Sequence, residues 1–505
     1  MKPWRFCAAL LATLALYSQP MMVRADEARP VTARDMSLLR RTVNGIVGRF
    51  PMRTAQLGVV VMEPRSGRML FARQAEHEFA PASNFKLLVS ATALAYLGRN
   101  FTYHTVLLAR GPVSSGVLDG DLILAGGGDP VLTRSDLRRA VAAVQAAAIT
   151  KVRGTVLVDG SIFDGQRYGS GWAWDDMPYY YQPPIEALAV DEGTVAVTAT
   201  PGTTAGARVT AALEADPGSM SVVSEAITTP AHGLNDVDCF RSQGSTVITV
   251  VGHLPLGEKP ATFQCTVEDS NTDAAVIFAQ MLTDKGISVG SSARGPLPAN
   301  IERDMSDEGP APPPPAQRYP GATVLWDHPS PTLAQLLKRM LPPSDNFIAE
   351  HLFKMLPVVA LGRRGSFDGG AQVEQRFIAS LGLPPESIDN GDGSGLSQGD
   401  RITPRDLAEI LRWETRNPDG NLIMRALAKA GMNGTISRHL RGTDAVGRVL
   451  AKDGYIWHVS TFSGYAYTKH HGLLIFSVMF NDANGLLRPF QQAEDEIVRT
   501  MVDLP

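Results

Sequence analysis

Cysteine is almost missing from this 505-residue chain, which has three, at positions 7, 239 and 265. So few exclude a disulfide scaffold and a cysteine-rich zinc site. Charge is scarce as well: 19% of residues are charged, with 47 basic against 51 acidic and a net charge of −4. No basic run breaks that balance. Nucleic-acid binding, which needs clustered Lys and Arg to neutralise phosphates, is excluded with it. Beyond the N-terminus no segment approaches the roughly 18 uncharged apolar residues of a membrane-spanning helix. Repeats at a spacing of about 20–50 residues are lacking too. Gly126-Gly127-Gly128 has neither the lysine nor the following helix of a phosphate loop, so nucleotide binding is rejected. His470-His471 has no third ligand at suitable spacing and reads as a hairpin turn, so no metal is expected. What is present is 44% hydrophobic residues in a chain long enough for about three domains with well-buried cores.

The N-terminus reads as a signal peptide over residues 1–25. Lys2 and Arg5 precede the apolar run Phe6 to Tyr17, and Val23-Arg24-Ala25 offers a small residue before Asp26. The run is too short to span a bilayer. Cleavage near Ala25 removes three basic residues and no acid, taking the net charge from −4 to −7. The mature chain is then soluble, exported and expected in the periplasm. Cys7 leaves with the leader. Cys239 and Cys265, each in strand-like sequence, remain in an oxidising compartment, where one disulfide between them would be worth about 3–4 kcal/mol.

Patterning divides the rest. Residues 34–48 look helical, Leu57–Met62 and Met69–Ala72 read as a hairpin, and a second helix runs from Ser83 to Gly98. From 100 to 295 short β-branched strands with turn signals suggest one or two inserted β-rich domains, closed by a helix from Asn271 to Gly286. Residues 302–320 are Pro-rich and acidic and read as a surface loop, polyproline rather than helix at Pro312 to Pro315. Helices follow near 331–341, 344–361, 371–381 and 404–415. Three strands come next, Val449–Gly454, Val459–Tyr467 and Leu473–Phe480, before a final helix at 488–503. Segments 26–99 and 296–505 are thus expected to form one split α/β catalytic domain around the insert at 100–295.

Ser83-Asn84-Phe85-Lys86 opens a strongly apolar helix, and its spacing puts hydroxyl and amine on one face. The helix N-terminus offers N–H groups for an oxyanion, and a neutral lysine can take the serine proton without a histidine. Ser344-Asp345-Asn346 caps a later helix, and Lys452-Asp453-Gly454 ends an apolar strand. S-x-x-K, S-D-N and K-x-G in that order are the three elements of penicillin-recognising serine enzymes.

On these residues the chain resembles the class C low-molecular-weight penicillin-binding proteins, the D-alanyl-D-alanine carboxypeptidase/endopeptidases. PASNFKLLVSATAL around Ser83, GDLILAGGGDPVLT at 120–133 and GW…PIEAL at 171–188 carry the likeness. So do HPSPTLAQLLKRMLPPSDNFIAEHL at 328–352, DGSGLS at 392–397, GMNGTI at 431–436 and AKDGYIWHVSTFSGYA at 451–466. The resemblance implies an α/β fold: a penicillin-binding/serine β-lactamase-like transpeptidase domain, its antiparallel sheet of about five strands flanked by helices, with inserted β-rich domains. It implies that Ser83 attacks the carbonyl between two D-alanines with Lys86 as base. Ser344 would relay a proton to the leaving amine, Asn346 would hold the substrate amide and the Lys86 head, and Lys452 would supply positive potential. Ser83 and Tyr455 N–H groups would form the oxyanion hole, with Gly454 and Asp453 beside them. The implied partners are peptidoglycan stem peptides and β-lactams, without cofactor, metal or nucleic acid.

Asp453 departs from the family pattern K-T-G, whose threonine hydroxyl binds the substrate's free carboxylate. An ionised Asp453 facing the pocket would repel that carboxylate by about 4 kcal/mol at ~4 Å and an effective dielectric near 20, roughly a thousandfold. Lys452 could neutralise it, a raised pKa could protonate it, His458 could lie beside it, or the side chain could turn away. Two alternatives follow: a catalytically weakened cell-wall binding protein, or a serine amidase or esterase of altered specificity.

Overall fold

Two stretches from opposite ends of the chain meet in one six-stranded sheet. Its order is Ala428–Lys429, Val449–Ile456, Val459–Tyr467, Leu473–Asn481, Gln56–Met62, Met69–Arg73, and every neighbouring pair is antiparallel. The computed structural model describes residues 28–214, 218–294, 309–417 and 421–505. The expected leader at 1–25, Cys7, and residues 302–308 of the Pro-rich loop lie outside them. Among the described residues no helix is long and apolar enough to cross a membrane.

Both faces of this sheet are covered, which is why its strands are apolar at consecutive positions. Val59 and Val61 pack with Leu39, Val43, Ile497 and Val498, from the helices Ala33–Val47 and Arg488–Val502. Val60 and Met62 face the opposite layer and pack with Leu87, Leu88, Leu352 and Leu407. Period-two alternation thus sends neighbouring residues into two separate cores. The second layer holds the helices Lys86–Tyr96, Asn346–Leu361 and Pro404–Arg416. Each fully buried aliphatic side chain contributes about 1.5–3 kcal/mol.

The chain leaves this domain after Tyr103 and builds a second sheet. His104–Arg110 pairs antiparallel with Asp121–Ala125, which pairs parallel with Lys151–Asp159 across the helix Arg134–Ala146. Parallel neighbours require such a crossover. Ser288–Arg294 adds a further parallel strand after the helix Ser270–Asp284. The first inserted unit is therefore itself α/β; its helix Arg134–Ala146, started by a Thr133/Asp136 capping box, was not read from sequence. The second unit, from Thr194 to Thr266, is all β. There the disulfide Cys239–Cys265 ties the strand Asp238–Phe240 to the strand Ala261–Thr266.

One sequence expectation needs correction. The catalytic segment does not resume at 296, because Thr323–Pro329 pairs antiparallel with His104–Arg110 and belongs to the inserted sheet. Non-local pairing of a largely exposed strand leaves no alternation to read. Within the Pro-rich stretch, Pro312 to Pro314 stay non-helical, Pro314 extended at φ −50 and ψ 146, and one helical turn follows over Pro315–Arg318; Pro at the first helical position lacks only an N–H that would be unpaired anyway.

Candidate active site

Ala82–Phe85 forms a short 3₁₀ turn that runs straight into the helix Lys86–Tyr96. The turn brings Ser83 Oγ to 3.0 Å from Lys86 Nζ. Lys86 is wholly buried and also donates to Asn346 Oδ1 at 2.7 Å and to the Ser394 carbonyl at 2.8 Å. Three acceptors match the three protons of an ammonium; once the amine is neutral, the serine hydroxyl becomes the donor in its contact. Burial strips the ammonium of water and Lys452 repels it, so its pKa falls to about 7, against the pull of Glu350, Asp392 and Asp345.

Ser344 sits at φ +66, a left-handed conformation that a non-glycine residue adopts at a cost of about 1–3 kcal/mol. Asp345 follows as N-cap of the helix Asn346–Leu361, accepting from the Ile348 N–H at 3.0 Å. That cap fixes Asn346 at the first helical position. Its Oδ1 accepts a hydrogen bond from Lys86 Nζ and its amide donates to the Tyr181 carbonyl of the insert at 2.8 Å.

The third element arrives on the strand Val449–Ile456, whose Gly454 lies opposite Thr461. A Cβ at Gly454 would stand 2.9 Å from both the Ser83 nitrogen and the Pro81 carbonyl oxygen, so only glycine lets this strand lie against the serine turn. Thr461 completes the seam, donating to the Pro81 carbonyl at 2.8 Å and accepting from Asn84 at 2.5 Å. Lys452 is buried and donates to the Asp453 carbonyl at 2.6 Å and to Asp453 Oδ1 at 2.9 Å. The Thr435 hydroxyl donates to the same Oδ1. Burial pushes the Asp453 carboxyl up, but the Lys452 charge and these hydrogen bonds outweigh it, and its pKa lies below the ordinary value.

Asp453 is therefore ionised and paired with Lys452, not protonated. Its neighbouring histidine is His439 rather than His458. The His439 ring stacks on Phe462, the cross-strand partner of Asp453, at 4.6 Å, and is fixed by Asp495 at 2.8 Å. His458 instead packs on Trp457 in the hairpin turn.

The loop Asp392–Ser397 holds more than a tight turn. Asp392 accepts from the Gly395 and Ser397 N–H groups and from the Trp172 indole, at 2.6, 2.7 and 2.7 Å. Glu350 accepts from the Gly393 and Ser394 N–H groups at 2.9 Å each. Those bonds aim the Ser394 carbonyl at Lys86. Ser394, in DGSGLS, Thr435, in GMNGTI, and Tyr181 carry no sequence signal of these contacts. A backbone carbonyl has no residue signature, and Thr435 is found only through the partner it touches.

Ser83, Ser344, Asn346, Lys452, Asp453, Gly454 and Tyr455 all line one cleft of about 1290 Å³, with Lys86 buried beneath Ser83. Tyr180, Tyr181, Asp191 and Glu192 of the insert also line it. Among the described residues no group of three His, Cys, Asp or Glu could hold a metal ion.

The chain matches the model of the D-Ala-D-Ala carboxypeptidase 3 (S13) family over residues 39–296 and 314–501. It is 30% identical over 491 residues to a D-alanyl-D-alanine carboxypeptidase of Actinomadura sp. (strain R39), covering 95% of this chain and 87% of that protein. To the D-alanyl-D-alanine carboxypeptidase DacB of Haemophilus influenzae it is 28% identical over 407 residues, 79% of each. The crystal structure of penicillin binding protein 4 (dacB) from Haemophilus influenzae superposes with a TM-score of 0.80 at 24% identity, over 91% of this chain and 99% of that one. That likeness carries the fold, an α/β domain with inserts.

Proposed function

The chain belongs to the D-Ala-D-Ala carboxypeptidase 3 (S13) family of peptidoglycan serine hydrolases, and from that premise we propose an exported DD-peptidase working through an acyl-enzyme at Ser83. The observation that carries this reading is the wholly buried Lys86 amine 3.0 Å from the Ser83 hydroxyl, its proton affinity lowered to match neutral pH. Neutral Lys86 takes the Ser83 proton as Oγ attacks the carbonyl of the penultimate D-alanine. The Ser83 and Tyr455 N–H groups receive the developing oxyanion. Ser344 passes a proton to the leaving amine, and Asn346 holds the Lys86 head and the substrate amide. Water then hydrolyses the ester by the reverse path, with Lys86 again the base.

The same reading extends to D-Ala-linked crosslinks, and a cleft of about 1290 Å³ partly lined by the insert supports it. A β-lactam would acylate the same Ser83. The test is mass spectrometry of the protein incubated with a labelled penicillin, alongside D-alanine release from an acyl-D-Ala-D-Ala peptide. A single adduct on Ser83, and loss of both signals in Ser83→Ala, is expected; an unmodified Ser83 with no D-alanine released refutes the reading. N-terminal sequencing of exported protein is expected to begin near Asp26.

A further inference from the structure

Asp453 puts a carboxylate on the third motif's strand, inside the nucleophile's cleft, and its surroundings hold that anion in place. Oδ1 is taken twice, by Lys452 Nζ at 2.9 Å and by the Thr435 hydroxyl. Oδ2 accepts no hydrogen bond from the described residues, while the side chain remains 21% exposed and lines the cleft. Thr435 is itself anchored: its N–H donates at 3.1 Å to the carbonyl of Pro342, two residues before Ser344. The segment that steadies Asp453 is thereby tied to the loop of the second motif.

Position matters as much as charge. Gly454 lies against the Ser83 nitrogen. The next residue back along a strand is only about 3.3 Å further. In a D-Ala-D-Ala peptide the terminal carboxyl is bonded to the same carbon as the leaving amine, so it must fall within this short stretch of strand. There it would meet Lys452 already paired with Asp453, whose Oδ2 takes no hydrogen bond from the described residues.

We propose, resting on the DD-peptidase reading, that Asp453 is a specificity-determining residue and Thr435 the positioning residue that holds it. Together they select peptides whose leaving residue carries a carboxamide in place of a free carboxylate. A primary amide has N–H groups to donate to the open Oδ2. A carboxylate has only acceptors and gains nothing from a cation whose charge is already paired. A site that offers a polar partner discriminates against the analogue that cannot use it.

The experiment measures kcat/KM for two substrates in the same preparation, an acyl-D-Ala-D-Ala peptide and its C-terminal amide. Their ratio does not depend on how much of a variant is folded. Wild type is expected to favour the amide by about tenfold or more. Asp453→Thr should invert the preference toward the free acid, because it frees Lys452 and supplies a hydroxyl donor. Thr435→Val should shift the ratio the same way by a smaller factor, and Thr435→Ser should restore it. A merely structural Thr435 would lower both rates together. Wild-type preference for the acid that Asp453→Thr leaves unchanged overturns the proposal while the peptidase reading stands. Failure to cleave either peptide, with no acylation of Ser83 by penicillin, overturns both.

Discussion

At the scale of single residues, the site depends on groups taken out of water. Burial and the nearby Lys452 hold the Lys86 ammonium down to about 7, so the neutral form needed to accept the serine proton dominates only above that pH. The acylation rate is therefore expected to rise with pH through about 7 and to fall as Lys86 is protonated below it; stopped-flow acylation by a chromogenic β-lactam across that range checks the sign. Gly454 makes a second case. Adding one methyl, Gly454→Ala, would press on the Ser83 nitrogen and the Pro81 carbonyl and drive the strand from the turn. A displacement near 1 Å costs about 100-fold in rate, so acylation should fall by that order while thermal melting still shows a folded protein. The gathering of Ser83, Lys86, Ser344, Asn346 and Lys452 at one cleft was legible because side-chain chemistry at fixed spacing leaves a mark in sequence. The state of Asp453 was not, since its partners Thr435 and His439 stand in a segment whose approach only the folded chain reveals.

Secondary elements were legible where burial imposed a period. The three strands between Val449 and Asn481 alternate between two cores, and the amphipathic helices Ala33–Val47 and Pro404–Arg416 present one apolar face each. Arg134–Ala146 escaped because β-branched neighbours dominate its surroundings in sequence, although its Thr133 and Asp136 carry the capping pattern. Thr323–Pro329 escaped because its pairing partner lies far away in the chain. The helix Asn346–Leu361 offers a test at this scale. Asp345 is its N-cap, so Asp345→Ala should cost about 1 kcal/mol. Asp345→Asn, which keeps an acceptor for the Ile348 N–H, should recover most of it; urea unfolding of the three proteins measures the difference.

For the whole molecule, the catalytic domain and its inserts are joined by adjacent strands. His104–Arg110 leads out and Thr323–Pro329 leads back, antiparallel neighbours stitched at their base by Tyr103 and Ser330, each backbone N–H donating to the other residue at 2.9 Å. The far end of the insert is held by Cys239–Cys265. Replacing both cysteines with alanine should lower the stability of that unit by about 3 kcal/mol, seen as an earlier unfolding transition. Peptide mapping without reduction should recover residues 239 and 265 on one linked fragment; two alkylatable thiols in exported protein would contradict it.

The placement of Gln56–Met62 beside Leu473–Asn481 also sets a timetable. Even the hydrogen bond from Ala80 to Asn481 spans 401 positions. On a chain emerging N-terminus first, the apolar run Leu57 to Met62 has its hairpin mate at Met69–Arg73 but waits for its other edge until nearly every residue has followed. The inserted sheet pairs His104–Arg110, Asp121–Ala125 and Lys151–Asp159 through local connections, and even its latest strand, Thr323–Pro329, precedes Leu473–Asn481. During synthesis the nucleophile's own domain is thus the last to close, with a sticky strand edge uncovered in the meantime. Pulsed hydrogen exchange on refolding should accordingly protect Lys151–Asp159 before Gln56–Met62.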